Sequence, residues 1–401
     1  MKITEFYRFA NENFLLEARA SRMTDSARNT PIISARELFL GMVYSVVFLR
    51  RSLLQTEHML RKPAVKNFFR CTRRIIASDC TYWRVLPHFS LEPIRDYLYV
   101  IFVRAKQMGL LAWSHAGKRS LKVGIIDGTC FGKHRAVVFQ AIGTSAEVLV
   151  DMQRINSRGK ELPGAKALLN RLVKNLGKKF VDVVLLDGLY MAQGFIRTCL
   201  SSKIDVVIKT SEETLDIIKD AKGLFDQYED FKDRIEYIEG WDEQRSRCYK
   251  IWAACCFKFN GVNQCMKVAQ VKEYTIRKDR KSKKEKKIPL ETFWVVTTKE
   301  DLNAEELREL AHRRWTVENQ GFKSLNAVCG SKHTWLEDEH AFEAQILMKF
   351  VGFNLLNQYK LKVQDEELIE EFHGVQWTIR LLSELLWESL VHLHGHKICS
   401  P

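Results

Sequence analysis

No stretch of about 18 consecutive apolar residues occurs in this 401-residue chain, which excludes a membrane-spanning helix at the level of sequence. The first residues, Met1-Lys2-Ile3-Thr4-Glu5, lack the apolar region of a secretory signal. Ten cysteines are present without regular spacing, Cys255 and Cys256 being adjacent. There is no Cys-x-x-Cys pair and no zinc-like Cys/His spacing, so neither a structural zinc site nor a disulfide framework is expected. Reduced thiols in a cytoplasmic protein are the expectation. Acidic residues are also in deficit: 49 Asp and Glu face 63 Lys and Arg, a formal net charge of +14. That excess suits a polyanionic partner, nucleic acid first and an anionic membrane surface second.

Nearly half of the chain is apolar, ample for a large core. Lys122-Val123-Gly124-Ile125-Ile126-Asp127-Gly128-Thr129 is a short apolar run ending in Asp-Gly, and Val181-Asp182-Val183-Val184-Leu185-Leu186-Asp187-Gly188 has the same form. Each reads as a buried strand whose last residue is a carboxylate, followed by a glycine that lets the chain turn. One Asp-Gly alone is ordinary turn chemistry. Two at strand ends match where α/β sheets place their sites. A helix is expected from Asn303, with Glu306 in capping-box position and Leu307, Ala311, Trp315, Phe322 and Leu325 on one stripe. Glu318 falls on that stripe. A carboxylate facing a core needs a positive partner. Arg314, one turn back, is one candidate; a metal ion is the other.

Taken in order, residues 1–118 read as helices carrying Arg50-Arg51, Arg61-Lys62, Arg70 and Arg73-Arg74. Residues 119–210 read as three strands, a helix, a strand, a helix and a strand, the order of a ribonuclease-H-like core. Residues 211–292 have β character, with a turn at Asn260-Gly261, and contain the basic run Arg277 to Lys287. That run includes Lys283, Lys284, Lys286 and Lys287, and reads as a solvated loop able to grip phosphates. Residues 293–360 return to the core with the Glu318 helix. Residues 361–401 form a last helical region with the capacity to pair with a second copy. The fold class expected is therefore α/β: a ribonuclease-H-like core with a mostly β insertion, plus helical N-terminal and C-terminal regions.

Asp127, Asp187 and Glu318 together resemble the Asp-Asp-Glu catalytic set of bacterial transposases of the insertion-sequence-4 type, over about residues 78–359. That family's third motif runs Tyr, two residues, Arg, three residues, Glu, then Lys about two turns later. Here Arg314 and Glu318 match. Ala311 stands at the Tyr position, Leu325 or Asn326 at the Lys position, and Lys323 lies near but offset. The resemblance implies DNA cleavage at transposon ends and strand transfer into target DNA. It also implies magnesium, with manganese able to substitute, held by Asp127, Asp187 and Glu318. DNA contacts would come from Arg314, Lys323, the basic run and the N-terminal region, with a homodimer on DNA and no membrane association. Trp294 lies where the family places a tryptophan that stacks on a flipped-out base; packing against the sheet is the equal alternative. A haloacid-dehalogenase-type phosphatase would need Asp two residues before Asp127, where Ile125 stands. A transposase-derived DNA-binding protein without catalysis is the remaining alternative, given Ala311 and Asn326.

Overall fold

The computed structural model describes residues 2–28, 31–68, 76–115, 119–278, 285–314, 323, 325–326, 330–331, 335–365 and 378–395. The chain divides into two compact units: Met1–Ala112, Gly128–Gly164 and Glu318–Pro401 form the first; Trp113–Asp127 and Ala165–Val317 form the second. The architecture is mixed α/β, with a large sheet and helical N- and C-terminal regions.

The first unit begins with helices α1 (Ile3–Phe14), α2 (Leu16–Ala20), α3 (Ala35–Val47), α4 (Leu53–Leu60), α5 (Pro63–Phe68), α6 (Asp79–Val85) and α7 (Leu91–Gln107). Ser34 and Ser52 cap α3 and α4 through their hydroxyls, which is why one dense apolar stretch becomes two helices. Strand β1 (Val123–Phe131) enters this unit at Gly128. It lies beside β2 (His134–Ile142), which pairs antiparallel with β3 (Glu147–Ile155), the meander expected from the short connections.

Polar groups fasten this unit's helices to its strands. Asp151 on β3 is fully buried. It accepts from Arg95 Nε at 3.3 Å and from the Tyr99 hydroxyl at 2.7 Å, both on α7. Arg95 also pairs with Glu343 on the long helix that follows much later in the chain. From that same helix, Asn354 brackets Leu149 on β3, accepting from its N–H at 2.9 Å and donating to its carbonyl at 2.8 Å. Gly352 lets the helix press against α3, since a Cβ there would lie 2.7 Å from the Val43 carbonyl oxygen.

In the second unit, β1 pairs in parallel with β4 (Val183–Asp187), and β4 with β5 (Asp205–Thr210). Helices α8 (Glu161–Leu176) and α9 (Gln193–Ser201) make the crossovers. Strand, strand, strand, helix, strand, helix, strand is thus the observed order, as expected of a ribonuclease-H-like core. After α10 (Asp216–Asp226), a helix not anticipated in the β-rich stretch, come β6 (Glu236–Asp242), β7 (Arg247–Phe259), β8 (Val262–Lys278) and β9 (Glu285–Thr297). These pair antiparallel in chain order, and β9 closes back onto β5. Gly261, at φ 74°, makes the tight β7–β8 turn. Helix α11 (Ala304–Arg313) follows, then, back in the first unit, α12 (Glu339–Asp365) and α13 (Ile379–Gly395). Divisions drawn at 292 and 360 therefore fall inside β9 and α12, because each of these elements continues across the composition change. The basic run is likewise part strand: Arg277 pairs with Lys286 and Lys278 with Glu285 in the β8–β9 ladder. Among the described residues no helix is long and apolar enough to cross a membrane.

Replacing Arg95 with Ala strands the buried Asp151 carboxylate. Equilibrium urea unfolding should show a loss of about 3–5 kcal/mol; a loss under about 1 kcal/mol would mean Asp151 is satisfied without Arg95.

Candidate active site

The β1–β4 register sets the site. Val123, Gly124 and Ile125 lie opposite Val183, Val184 and Leu185. Two residues further along each strand stand Asp127 and Asp187. Since side chains alternate between faces with period two, both carboxylates leave the same face of the sheet, on neighbouring strands. The apolar runs before them are buried, as β-branched and leucine side chains in a parallel pair should be. Asp187 is the last residue of β4, and one of its carboxylate oxygens accepts from Leu189 N–H at 3.0 Å.

Asp127 departs from expectation. It is not a strand-terminal residue: β1 continues through Gly128 to Phe131. Neither Gly128 nor Gly188 has positive φ, so neither is needed for a left-handed turn. Each instead lets a side chain approach the backbone closely. A Cβ on Gly128 would lie 2.5 Å from the Glu161 carboxyl carbon, at the start of α8, and one on Gly188 would lie 2.7 Å from Thr210 Oγ1. Sequence reasoning missed Glu161, because an acid in a helix's first turn reads as an ordinary complement to the helix dipole. Lys209 was missed too. It stands beside Asp187 in the β4–β5 register, but its ammonium turns to Glu291 at 2.7 Å and lies over the Phe293 ring.

Arg314, just past α11, approaches Asp127 Oδ2 through Nη1 at 3.5 Å, both residues being buried. Arg314, expected beside Glu318 or on a phosphate, is thus a cation at the strand carboxylate. Its helix starts as the sequence predicts: the Asn303 side chain accepts from Glu306 N–H, and Glu306 reaches back to Asn303 N–H. Leu307 and Ala311 of the predicted stripe are buried. Glu318, Trp315 and Phe322 lie outside the described residues, as do Lys283 and Lys284. Lys323 is exposed on a helical position. Lys286 is placed by its backbone pairing in β9. Lys287 is exposed and pairs with Glu239 at 2.9 Å; hydrogen bonds from Lys287 and then Lys250 hold the Glu239 carboxyl at about 2.

Trp294 is a correction. As a base-stacking residue it would need an open face, yet it is 1 % exposed. On β9 it faces Thr210 and Gln270 in register, and its ring stacks on Phe225 of α10 at 6.1 Å and 9°. Among the described residues the indole N–H finds no hydrogen-bond acceptor, although the Glu213 carboxylate, lowered chiefly by Lys222, lies nearby. A large aromatic on a strand of the sheet interior is simply buried there.

Asp127 and Asp187 offer hard oxygen donors side by side, and this donor set fits magnesium or manganese. No cluster of three or more His, Cys, Asp or Glu able to hold a metal occurs among the described residues.

Residues 118–355 match the family model of the transposase DDE domain, more than half of the chain. The chain belongs to the DDE transposase family. No curated protein matches it. Among solved structures it is similar to the piggyBac transposase synaptic complex with hairpin DNA, at 11 % identity and a TM-score of 0.41. The match covers all of this chain and 79 % of that one.

Removing the Trp294 ring tests its place in the core of this DDE transposase. Trp294→Ala should lower stability by about 3–5 kcal/mol in a denaturant melt and depress every activity together. Normal stability, with a defect confined to fully paired DNA ends, would restore the base-stacking role.

Proposed function

We propose that this transposase uses Asp127, Asp187 and Glu318 to hold magnesium, with manganese able to substitute, and that it cleaves DNA at its element's ends and transfers the freed ends into target DNA. One observation carries the reading: Asp127 and Asp187 occupy matching positions on adjacent parallel strands and leave one face. Bound there, the ions activate the attacking oxygen and stabilise the leaving oxygen of an in-line displacement at phosphorus. Glu318 enters through its place in the Arg-x-x-x-Glu motif. Arg314 keeps the Asp127 carboxylate oriented and offsets its repulsion with Asp187. Water attacks first and frees a 3′ hydroxyl; that hydroxyl then attacks target DNA. The chain's formal +14 charge supports a DNA partner. Two copies acting on paired inverted-repeat ends, in a bacterial cytoplasm, complete the reading.

Asp187→Ala should abolish magnesium-dependent cleavage and weaken manganese binding measured by calorimetry, while leaving end binding intact. Asp182→Asn is the control. Its carboxylate anchors Lys122 N–H, at 2.9 Å, where β1 begins. Full cleavage by the Asp187 variant would remove this residue from the site. If the wild-type chain binds end DNA but never cleaves it with either metal, the alternative of a non-catalytic derivative holds.

Charge in the β8–β9 region is tested separately. Replacing Lys283, Lys284, Lys286 and Lys287 with Gln should weaken DNA binding irrespective of sequence. The log–log salt slope should fall by about 0.9 for every phosphate that is no longer neutralised; an unchanged slope would show that these lysines face solvent and not DNA.

A further inference from the structure

A cleft of about 390 Å³ opens in the first unit between α4 and α13, lined by Arg50, Arg51, Gln55, His58, Lys62 and Trp387 together with Leu49 and Met59. Among the described residues no carboxylate lines it. Arg50, His58 and Lys62 come together here with no described carboxylate between them, an arrangement that favours a visiting anion.

Arg50 is the centre of the cluster. Leu49, just past the Phe48 cap of α3, lies in the left-handed region at φ 55°, and Arg50 after it lies over the Trp387 ring, 4.3 Å from its centroid. The wall behind is fixed: Trp387 meets Phe48 edge-on at 5.1 Å, and Ser383, one turn earlier on α13, donates to the Val47 carbonyl. Stacking on an aromatic face holds the guanidinium plane and leaves its N–H edge for a ligand. Among the described residues that half-buried guanidinium has no ion-pair partner, and its Nε is a buried donor without a hydrogen bond. Burial with nothing negative to offset it pushes the Arg50 pKa down. His58 and Lys62 stand exposed at the rim, neither in a salt bridge with any described residue. A fork-shaped donor on a rigid aromatic wall, with point charges at the mouth, matches the oxygens of a phosphate group.

We infer that this cleft is a phosphate-binding site, Arg50 being the buried fork and His58 and Lys62 the rim contacts. The phosphate comes either from a nucleic-acid backbone or from a free phosphate compound. The site uses none of the strand carboxylates and stands independently of the proposed cleavage chemistry.

The experiment titrates the full chain with inorganic pyrophosphate, read by calorimetry. Wild type should bind. Arg50→Met should weaken binding by at least about tenfold. The paired change His58→Ala with Lys62→Gln, on exposed side chains that leave the fold intact, should weaken it comparably. Circular dichroism confirms folding; should Arg50→Met fail to fold, the rim pair decides. Asp187→Ala should bind pyrophosphate normally, which keeps this result separate from the cleavage reading. A duplex arm then distinguishes the sources. A salt slope reduced by about 0.9 for each phosphate left unneutralised assigns the site to a DNA backbone phosphate; unchanged duplex binding assigns it to a free phosphate compound. Absence of pyrophosphate binding by wild type, or equal binding by wild type and both variants, overturns the proposal.

Discussion

Parallel pairing of β1 with β4 places Asp127 and Asp187 on one face of neighbouring strands, and much of the local structure answers to that placement. Strands about 4.8 Å apart bring such groups close enough that repulsion between two ionised carboxylates is on the order of 1–3 kcal/mol at an intermediate dielectric. Arg314 meets the more buried of the two. The glycine after each aspartate lets a side chain come close to the backbone, Glu161 at Gly128 and Thr210 at Gly188. Register, counter-charge and close side-chain approach thus meet at one place. A one-residue slip of β4 would send Asp187 to the opposite face and void all of them.

Charge also fastens helices to strands in each unit. Asp151 on β3 meets Arg95 and Tyr99 on α7. Glu273 on β8 meets Arg308 and His312 on α11, and Arg247 on β7. Burial raises the Glu273 carboxyl, but His312, Arg247 and Arg308 outweigh it and hold the group well below the usual range. Burial opposes ionisation of Asp242 as well, and Arg245 and Arg308 still hold it at about 2. Such carboxylates are tolerable inside because each is met by several donors; with one partner missing, the same groups would be costly. Glu273 and Arg308 therefore set where α11 lies on its strands, and with it the direction in which Arg314 leaves the helix.

Much of this was legible beforehand. Short apolar runs located β1, β4 and β5, and short connections the β2–β3 hairpin. Asn303 and Glu306 marked the start of α11, and Asn260-Gly261 the β7–β8 turn. What failed did so for identifiable reasons. Asp127-Gly128 carries the local chemistry of a turn, yet sits inside a strand, and the neighbour close to its glycine is Glu161, 33 positions away in the chain (161 − 128 = 33). Trp294 was poised between stacking on DNA and packing in the core, since an aromatic's burial depends on what covers it, and Phe225 covers it. Lys287 read as free positive charge until the strand pairing brought Glu239 to it.

The sequence by itself determined the α/β class, the order of the core elements and the identity of the paired aspartates, because periodicity, capping and short-range composition are local properties. Tertiary structure alone decided that Asp127 and Asp187 share a face, that Arg314 attends Asp127, that Trp294 belongs to the core and that Arg50 stacks on Trp387. Each of these joins residues far apart in the chain. No local pattern carries that information; it appears only when strand register and helix packing bring the partners within a few ångströms.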